Sequence, residues 1–361
     1  MTSLTDDLPS LDVSPGPSLA TPLPADRPVR WGILATGKIA TAFAKDLALL
    51  DDCEIAAVGA RRQESADAFA AEHGVGKAYG DYRAMVEDPD VDVVYVASPH
   101  ALHREHVELA FQAGKPVLCE KAFTLTAADA ADLVALSREK NLFLMEAMWM
   151  RCNPLVRRLQ QLVAGGTLGE VRQVRADLGF VVDKPPTDRT LDPALGGGAL
   201  LDMGIYALTF AHLFLGEPAQ VAATAALSPA GADLNLALSL GYGNGAVASL
   251  TSTMTAWSPR TASVATDRGR IDLPAPFHHP TTVTWTPQDA DPDLGLPSEP
   301  QQVHEDLIGS GLAHEALEVV RCLRTGEVES PLVPLDETVE LMALMDRIRA
   351  EIGVRYAADD R

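Results

Sequence analysis

Hydrophobic positions in this chain change their spacing twice. Over residues 1–28 they follow no period: Pro9, Pro15, Pro17, Pro22, Pro24 and Pro28 stand among serines, aspartates and small residues. Proline removes a backbone donor and fixes φ, so this stretch predicts a disordered tail. Short apolar runs begin at Val29. Those at 29–34, 54–59, 91–97, 116–119 and 142–145 have the length and continuity of buried parallel strands. Between them, residues 38–50, 63–73, 81–87, 103–113 and 127–140 read as helices. The alternation predicts an α/β, doubly wound parallel sheet over residues 29–148.

Beyond residue 148 the pattern changes. A helix at 154–164 leads to a long strand at 170–182 and a turn-rich stretch at 184–193. Gly196, Gly197 and Gly198 then open an apolar helix that reaches Leu215. Runs at 220–227, 235–242, 246–253 and 261–266, bounded by Gly, Pro or Asn, predict a large, mostly antiparallel open sheet. Helices near 314–324 and at 335–352 close the chain. Residues 149–361 therefore form an α+β domain, expected to bind substrate and to associate. An open sheet needs its outer face covered, which points to a homodimer or homotetramer through that sheet.

Composition narrows the partners. Of 361 residues 47% are hydrophobic and 22% charged, enough for two cored domains. The net charge of −21 disfavours phosphate backbones and anionic lipid, so neither nucleic acid nor membrane is expected. No run of about 18 uncharged apolar residues is present, and the start of the chain, with Asp6, Asp7 and Asp12, is no secretory signal. Cys53, Cys119, Cys152 and Cys322 are scattered without a CxxC pair, so reduced thiols, no metal and a cytoplasmic location are expected.

Three stretches carry candidate chemistry. After the first strand, Ala35-Thr36-Gly37-Lys38-Ile39-Ala40 matches the dinucleotide fingerprint G-x-G-x-x-G/A, with alanine at its first position. Gly37 lets backbone approach a pyrophosphate, and the amides at the helix start face it. At the end of the second strand, where an NAD site would place an acid, stand Arg61 and Arg62. Two guanidiniums suit the 2′-phosphate of NADP, making NADP the favoured cofactor over NAD; a solvated pair opening a helix is the other reading. Ser98, His100 and His103 follow the 91–97 strand. The two histidines either line the nicotinamide side or serve as structural hydrogen-bonders.

The reacting end joins Glu120-Lys121-Ala122, at the exit of the 116–119 strand, to the helix Gly196-Gly197-Gly198-Ala199-Leu200-Leu201-Asp202-Met203-Gly204-Ile205-Tyr206. Asp202 and Tyr206, four apart, share one helical face. An aspartate in so apolar a helix is costly unless paired or facing a polar cleft. The bland alternatives are a surface lysine flanking a strand and a core tyrosine with its hydroxyl satisfied.

These residues resemble the glucose–fructose oxidoreductase/inositol dehydrogenase (Gfo/Idh/MocA) family, and within it the branch of dimeric dihydrodiol dehydrogenases, also described as NADP-linked D-xylose dehydrogenases. The likeness runs through Trp31-Gly32-Ile33, Val91 to Val96, Glu146-Ala147-Met148-Trp149-Met150-Arg151, Leu200 to Tyr206 and Glu315 to Leu323. It implies an NADP-dependent oxidoreductase that moves a hydride between the nicotinamide and a carbinol carbon of a sugar, polyol or cyclic diol. It further implies Lys121 and Tyr206 as the catalytic pair, supported by Asp202. Trp149, Arg151, Asp202 and Tyr206 would bind substrate. Ala35, Thr36, Gly37, Lys38, Ile39, Arg61, Arg62, Ser98, His100, His103, Glu120 and Lys121 would contact the cofactor. Two departures stand out: Ala122 replaces the family's usual proline after the lysine, and Tyr206 stands where many members have histidine. A non-catalytic NADP-binding regulator is the alternative from another class.

Overall fold

In the computed structural model, residues 22–290 and 299–360 are described. The chain divides into two units by its internal contacts: residues up to Cys152 with Leu307–Met342, and Asn153–Asp306 with the residues from Ala343 onward. By internal contacts the division differs from the expected single break at 148/149 in two ways. The first unit runs a few residues further, and it also takes back a late segment that had been assigned wholly to the second.

The first unit is built on β1 (Val29–Leu34), β2 (Cys53–Gly59), β3 (Ala78–Tyr79), β4 (Val93–Val96), β5 (Val117–Glu120) and β6 (Leu144–Ala147), all parallel, in the order β3-β2-β1-β4-β5-β6. Every residue of β4, β5 and β6 is buried, as continuous apolar runs between covering layers should be. The intervening helices are α1 (Lys38–Leu47), α2 (Gln63–His73), α3 (Tyr82–Val86), α4 (His103–Gln112) and α5 (Ala127–Lys140). The order turns back on itself between β1 and β4, the crevice where open parallel sheets bind ligands. The two-residue β3 went unseen in the sequence because an edge strand so short has no period to detect.

The tail expected to be disordered begins to be ordered before Val29. Residues 1–21 lie outside the described residues, but Leu23 donates its amide to Leu323 at 2.9 Å and Arg27 pairs with Asp92 at 2.5 Å. Arg324 binds the carbonyls of Pro24 and Arg27 and the carboxylate of Asp52. Proline-rich backbone can be pinned this way because its carbonyls remain as acceptors.

α6 (Trp149–Cys152) ends the continuous part of this unit; α7 (Pro154–Ala164) opens the other, capped by the Asn153 side chain. The second unit's sheet comprises β7 (Val171–Gly179), β8 (Gln220–Leu227), β9 (Asp233–Gly241), β10 (Val247–Thr253), β11 (Ala262–Thr266), β12 (Gly269–Leu273), β13 (Thr282–Pro287) and β14 (Gln301–His304). Its order is β14-β13-β12-β11-β7-β10-β9-β8, antiparallel except where β7 meets β10. The period-two pattern sorts its faces. Leu240, Ala248, Val174, Val264, Ile271 and Trp285 form one buried row across six strands, and α8 (Ile205–Leu215) packs on β7 and β10. β12, β13 and β14 were missed in the sequence: each has at most two apolar side chains inward, and β14, at the edge, also carries Gln302 and His304.

Two helices remain. α9 (Ala313–Thr325) packs against α1 and α6, and α10 (Leu335–Ile352) is the last α-helix among the described residues. Asp46 of α1 accepts the amides of Ser310 and Ala313 and the Ser310 hydroxyl, fixing the turn that starts α9. Gly309 and Gly311 in that turn have φ of +60° and +105°, a conformation that favours glycine. Among the described residues, no helix is long and apolar enough to cross a membrane.

Candidate active site

The cofactor half of the site lies wholly in the first unit. β1 ends at Leu34, and Ala35 turns the chain with φ of +80° while giving its amide to Gly59 at 2.9 Å. That left-handed angle explains why the fingerprint asks for glycine at the position Ala35 occupies. Thr36 is half-buried, and Gly37 and Lys38 are exposed. No side chain caps α1 at Gly37, and a Cβ built there would meet nothing within 4 Å. The first amides of α1, from Lys38 and Ile39, thus open onto a cradle a pyrophosphate fits. At the end of β2, Arg61 and Arg62 are both exposed. Arg62 caps α2 with extended backbone and reaches Ser65 at 3.3 Å, while Arg61's charge opposes the burial that raises the Tyr82 phenol.

The residues after β4 and β5 tie to one another. His103 Nε2 meets the Ser98 carbonyl at 2.8 Å, and its Nδ1 meets the carbonyls of Ala122 and Phe123 at 3.0 and 3.1 Å. His100 Nε2 meets the Lys121 carbonyl at 3.2 Å. Burial pushes His103 down to about 4, against the pull of those three carbonyls. The expectation that His103 contacts cofactor is corrected: it is 0% exposed, with no surface to offer a ligand, and it braces the chain beside Lys121 instead. Ser98 and His100 are also buried, Ser98 Oγ meeting His106 at 2.8 Å.

Lys121 follows β5, half-buried, and its peptide bond to Ala122 is cis. Glu120 turns inward, accepting the Tyr95 hydroxyl at 2.5 Å. Behind it lies Glu315 of α9, fully buried, neither carboxylate oxygen having a hydrogen-bond partner among the described residues. Burial, then Glu120, then Asp46 push Glu315 well above the usual carboxylate range. Trp149 opens α6 with its ring against the backbone of Gly311. Arg151 is 5% exposed, with Nε on the Leu332 carbonyl at 2.8 Å and Nη2 on Glu337 at 2.5 Å. Its expected role in binding substrate gives way to holding α6 against the 332–337 segment.

The reacting half within the second unit is organised by three glycines, each required for a different reason. Gly196 has φ of +79°. A Cβ on Gly197 would stand 2.6 Å from the Asp192 amide nitrogen, and one on Gly198 (φ +142°) would collide with Asp233 Oδ1. That close approach brings Asp233 Oδ2 to the Leu200 amide at 2.6 Å. The amide opens a π-helical segment, Leu200–Gly204, that runs into α8, where an uninterrupted α-helix was expected. Single π turns of this kind concentrate at functional sites. Asp202 lies on it, 3.9 Å from Arg189. Tyr206 is 7% exposed, its ring 4.7 Å from that of His278 and tilted 42° to it. Sequence reasoning missed His278, Glu146 and Asp233. The pair His278-His279 before a proline was the only local signal for the first; the two acids look like ordinary strand residues. Among the described residues no group of three or more His, Cys, Asp or Glu side chains could hold a metal.

The geometry agrees with what known proteins show. Residues 29–148 match the model of the oxidoreductase family with an NAD-binding Rossmann fold, and residues 156–272 match the GFO/IDH/MocA C-terminal domain. The chain belongs to the GFO/IDH/MocA oxidoreductase family. As a member it is an NAD(P)-dependent dehydrogenase acting on CH–OH groups. It is similar to the trans-1,2-dihydrobenzene-1,2-diol dehydrogenases of Xenopus tropicalis and Homo sapiens. Each is 36% identical, over 331 and 337 residues, covering 91% and 92% of this chain and 99% of each relative. Among solved structures, KijD10, a 3-ketoreductase from Actinomadura kijaniata in complex with NADP and TDP-benzene, is 27% identical at a TM-score of 0.79. That match covers 91% of this chain and 99% of KijD10. The aldose-aldose oxidoreductase of Caulobacter crescentus, complexed with glycerol, is 26% identical at the same TM-score, covering 93% of this chain and 99% of its own. These relatives are enzymes, and a non-catalytic regulator has no counterpart among them.

One prediction follows from the GFO/IDH/MocA chain's buried aspartate. Burial raises Asp233 to about 7, against the amides it accepts. Its folded pKa exceeds the ordinary value, so the folded state binds more protons between about pH 4 and 7 and loses stability as pH rises through that window. Asp233→Asn should therefore gain on the wild type by roughly 2–4 kcal/mol between pH 4.5 and pH 8, read by urea unfolding at each pH. A difference that stays flat with pH would contradict the assignment.

Proposed function

We propose that this enzyme transfers a hydride between NADP and a carbinol carbon of a sugar, polyol or cyclic diol, with Tyr206 as the acid/base. The observation that carries the reading is the setting of Tyr206: a nearly buried phenol just past the π-helical segment, one turn beyond Asp202 and with an imidazole ring against it. NADP supplies the hydride acceptor when bound. This chain's residues bind it, orient substrate and move the proton. The uncapped start of α1 takes the pyrophosphate, and the exposed Arg61 and Arg62 take the 2′-phosphate through bidentate hydrogen bonds.

Oxidation of a carbinol needs a base for the hydroxyl proton, and a phenol with a pKa near 10 is too little ionised at neutral pH. Lys121 is assigned the cation that corrects this. An ammonium about 4 Å from a phenol, at an effective dielectric near 20, favours phenolate by roughly 4 kcal/mol, or about 3 pKa units. Asp202 fixes the geometry or holds a substrate hydroxyl, and Trp149 lines the substrate. Reduction runs the same proton back.

The enzyme is assigned to the cytoplasm and to a homodimer that joins through the outer face of the second unit's sheet. On that face Ala222, Ser239 and Ser249, with Thr224, Ala237 and Thr251 beside them, are exposed and uncharged. The same face carries Arg175 and Asp177 of β7 beside Ser249 and Thr251, so it offers a second copy both small uncharged side chains and charges that can pair.

Tyr206→Phe should lose at least 99% of turnover in an assay of NADP reduction against pentoses, hexoses and cyclic diols, with NADPH affinity unchanged by fluorescence titration; full activity would reject the acid/base role. Replacing Arg61 and Arg62 together by alanine should weaken NADPH at least tenfold more than NADH, and equal losses would remove the 2′-phosphate reading. Ser239→Arg with Ser249→Arg should halve the mass measured by light scattering.

A further inference from the structure

β6 carries a carboxyl that the chemistry above does not use. Glu146 is 3% exposed and stands beside Cys119 in the register of β5 and β6. Its Oε1 accepts the Phe123 amide at 3.1 Å, and its Oε2 accepts the Thr338 hydroxyl at 3.2 Å. Phe123 lies two residues beyond Lys121. The intervening turn is otherwise held by His100 on the Lys121 carbonyl and by His103 on the next two carbonyls. Glu146 is therefore one of the few contacts that decide where the lysine's backbone stands.

Its electrostatic surroundings are as specific as its hydrogen bonds. Lys121 faces it from the turn after β5 and Arg151 from α6, while Glu337 of α10 neutralises Arg151. Cys119 and Glu120 border it on β5. Burial raises the carboxyl, the hydroxyl, amide and two cations oppose it, and the balance leaves it pushed up to about 7.

We propose that Glu146 is a positioning residue for Lys121, pinning the turn through the Phe123 amide and balancing the lysine's ammonium with its own charge. The proposal rests on the assignment of Lys121 made above. Ionised, Glu146 cancels part of the field of the Lys121 ammonium; neutral, it leaves that field whole. A merely structural acid would hold the turn but leave every titration where it was.

Glu146→Gln separates the two roles, because the amide still offers an oxygen to Phe123 and carries no charge. In the full-length protein, lysines are reductively methylated with ¹³C-formaldehyde, the Lys121 signal is assigned by Lys121→Arg, and its titration is followed by NMR. Loss of the opposing charge should lower the Lys121 midpoint by half a pH unit or more in Glu146→Gln. Equal midpoints would overturn the proposal. In the oxidative direction, with the best substrate of the panel, the rising limb of log(kcat/KM) should move to lower pH by a similar amount, with NADPH affinity within twofold. An unmoved limb would also overturn it. Glu146→Ala, which loses the anchor as well, should cost tenfold or more in kcat/KM, most of it restored by Gln. The NMR midpoint does not depend on turnover. A shifted midpoint beside a fully active Tyr206→Phe would keep the coupling and discard the catalytic assignment instead.

Discussion

Backbone that leaves a regular element loses the partner of its next amide, and in both units of this enzyme a buried carboxyl supplies one. Phe123, just past β5, gives its amide to Glu146; Leu200, opening the π-helical segment, gives its amide to Asp233. The cost is high, because a carboxyl out of water resists ionisation, and burial raises both groups to about 7. What the cost secures is placement. Each carboxyl holds the stretch that carries a candidate catalytic side chain, Lys121 in one unit and Tyr206 in the other. Turns held only by water would leave those side chains to wander.

The same device recurs where no chemistry is assigned. Asp46 takes three donors of the turn before α9, and His103 spans from Ser98 to the two carbonyls past Lys121. These contacts thread polar groups through an interior whose strands are buried and largely apolar. Such networks are stable only when every member has its partner, so they tolerate substitution poorly. Polar side chains buried in this way fix one arrangement of turns among many that an apolar core would permit.

The legible part of the fold was the part with a period. The apolar strands and the helices of the first sheet stood out because continuous apolar runs and helical spacing are local signals, and Gln63–His73 and Ala127–Lys140 fell where the pattern put them. Elements whose partners are distant did not. β3 is two residues long and β14 is an edge strand, and the return of Leu307–Met342 to the first unit depends on contacts that no local pattern encodes. For the site, motif spacing placed the glycine loop and the Asp202–Tyr206 helix but left His103 open between ligand and structural roles, and the family resemblance implied a ligand-facing Arg151. Only the folded chain reveals that His103 is enclosed and that Arg151 is bonded to Leu332 and Glu337. Glu146 and Asp233 were invisible for the same reason, since a lone acid in a strand announces neither its burial nor its partner.

The late segment that rejoins the first unit has a consequence for how the protein is made. α9 packs on α1, Asp46 waits for Ser310 and Ala313, and Asp52 for Arg324, so groups near the start of the chain are completed by residues more than 250 positions later. During synthesis the nucleotide-binding sheet emerges early but lacks its last helix until most of the polypeptide has left the ribosome. Native closure of that domain is therefore a late event, and a chain cut short before residue 307 would leave its apolar flank open to chaperones and proteases.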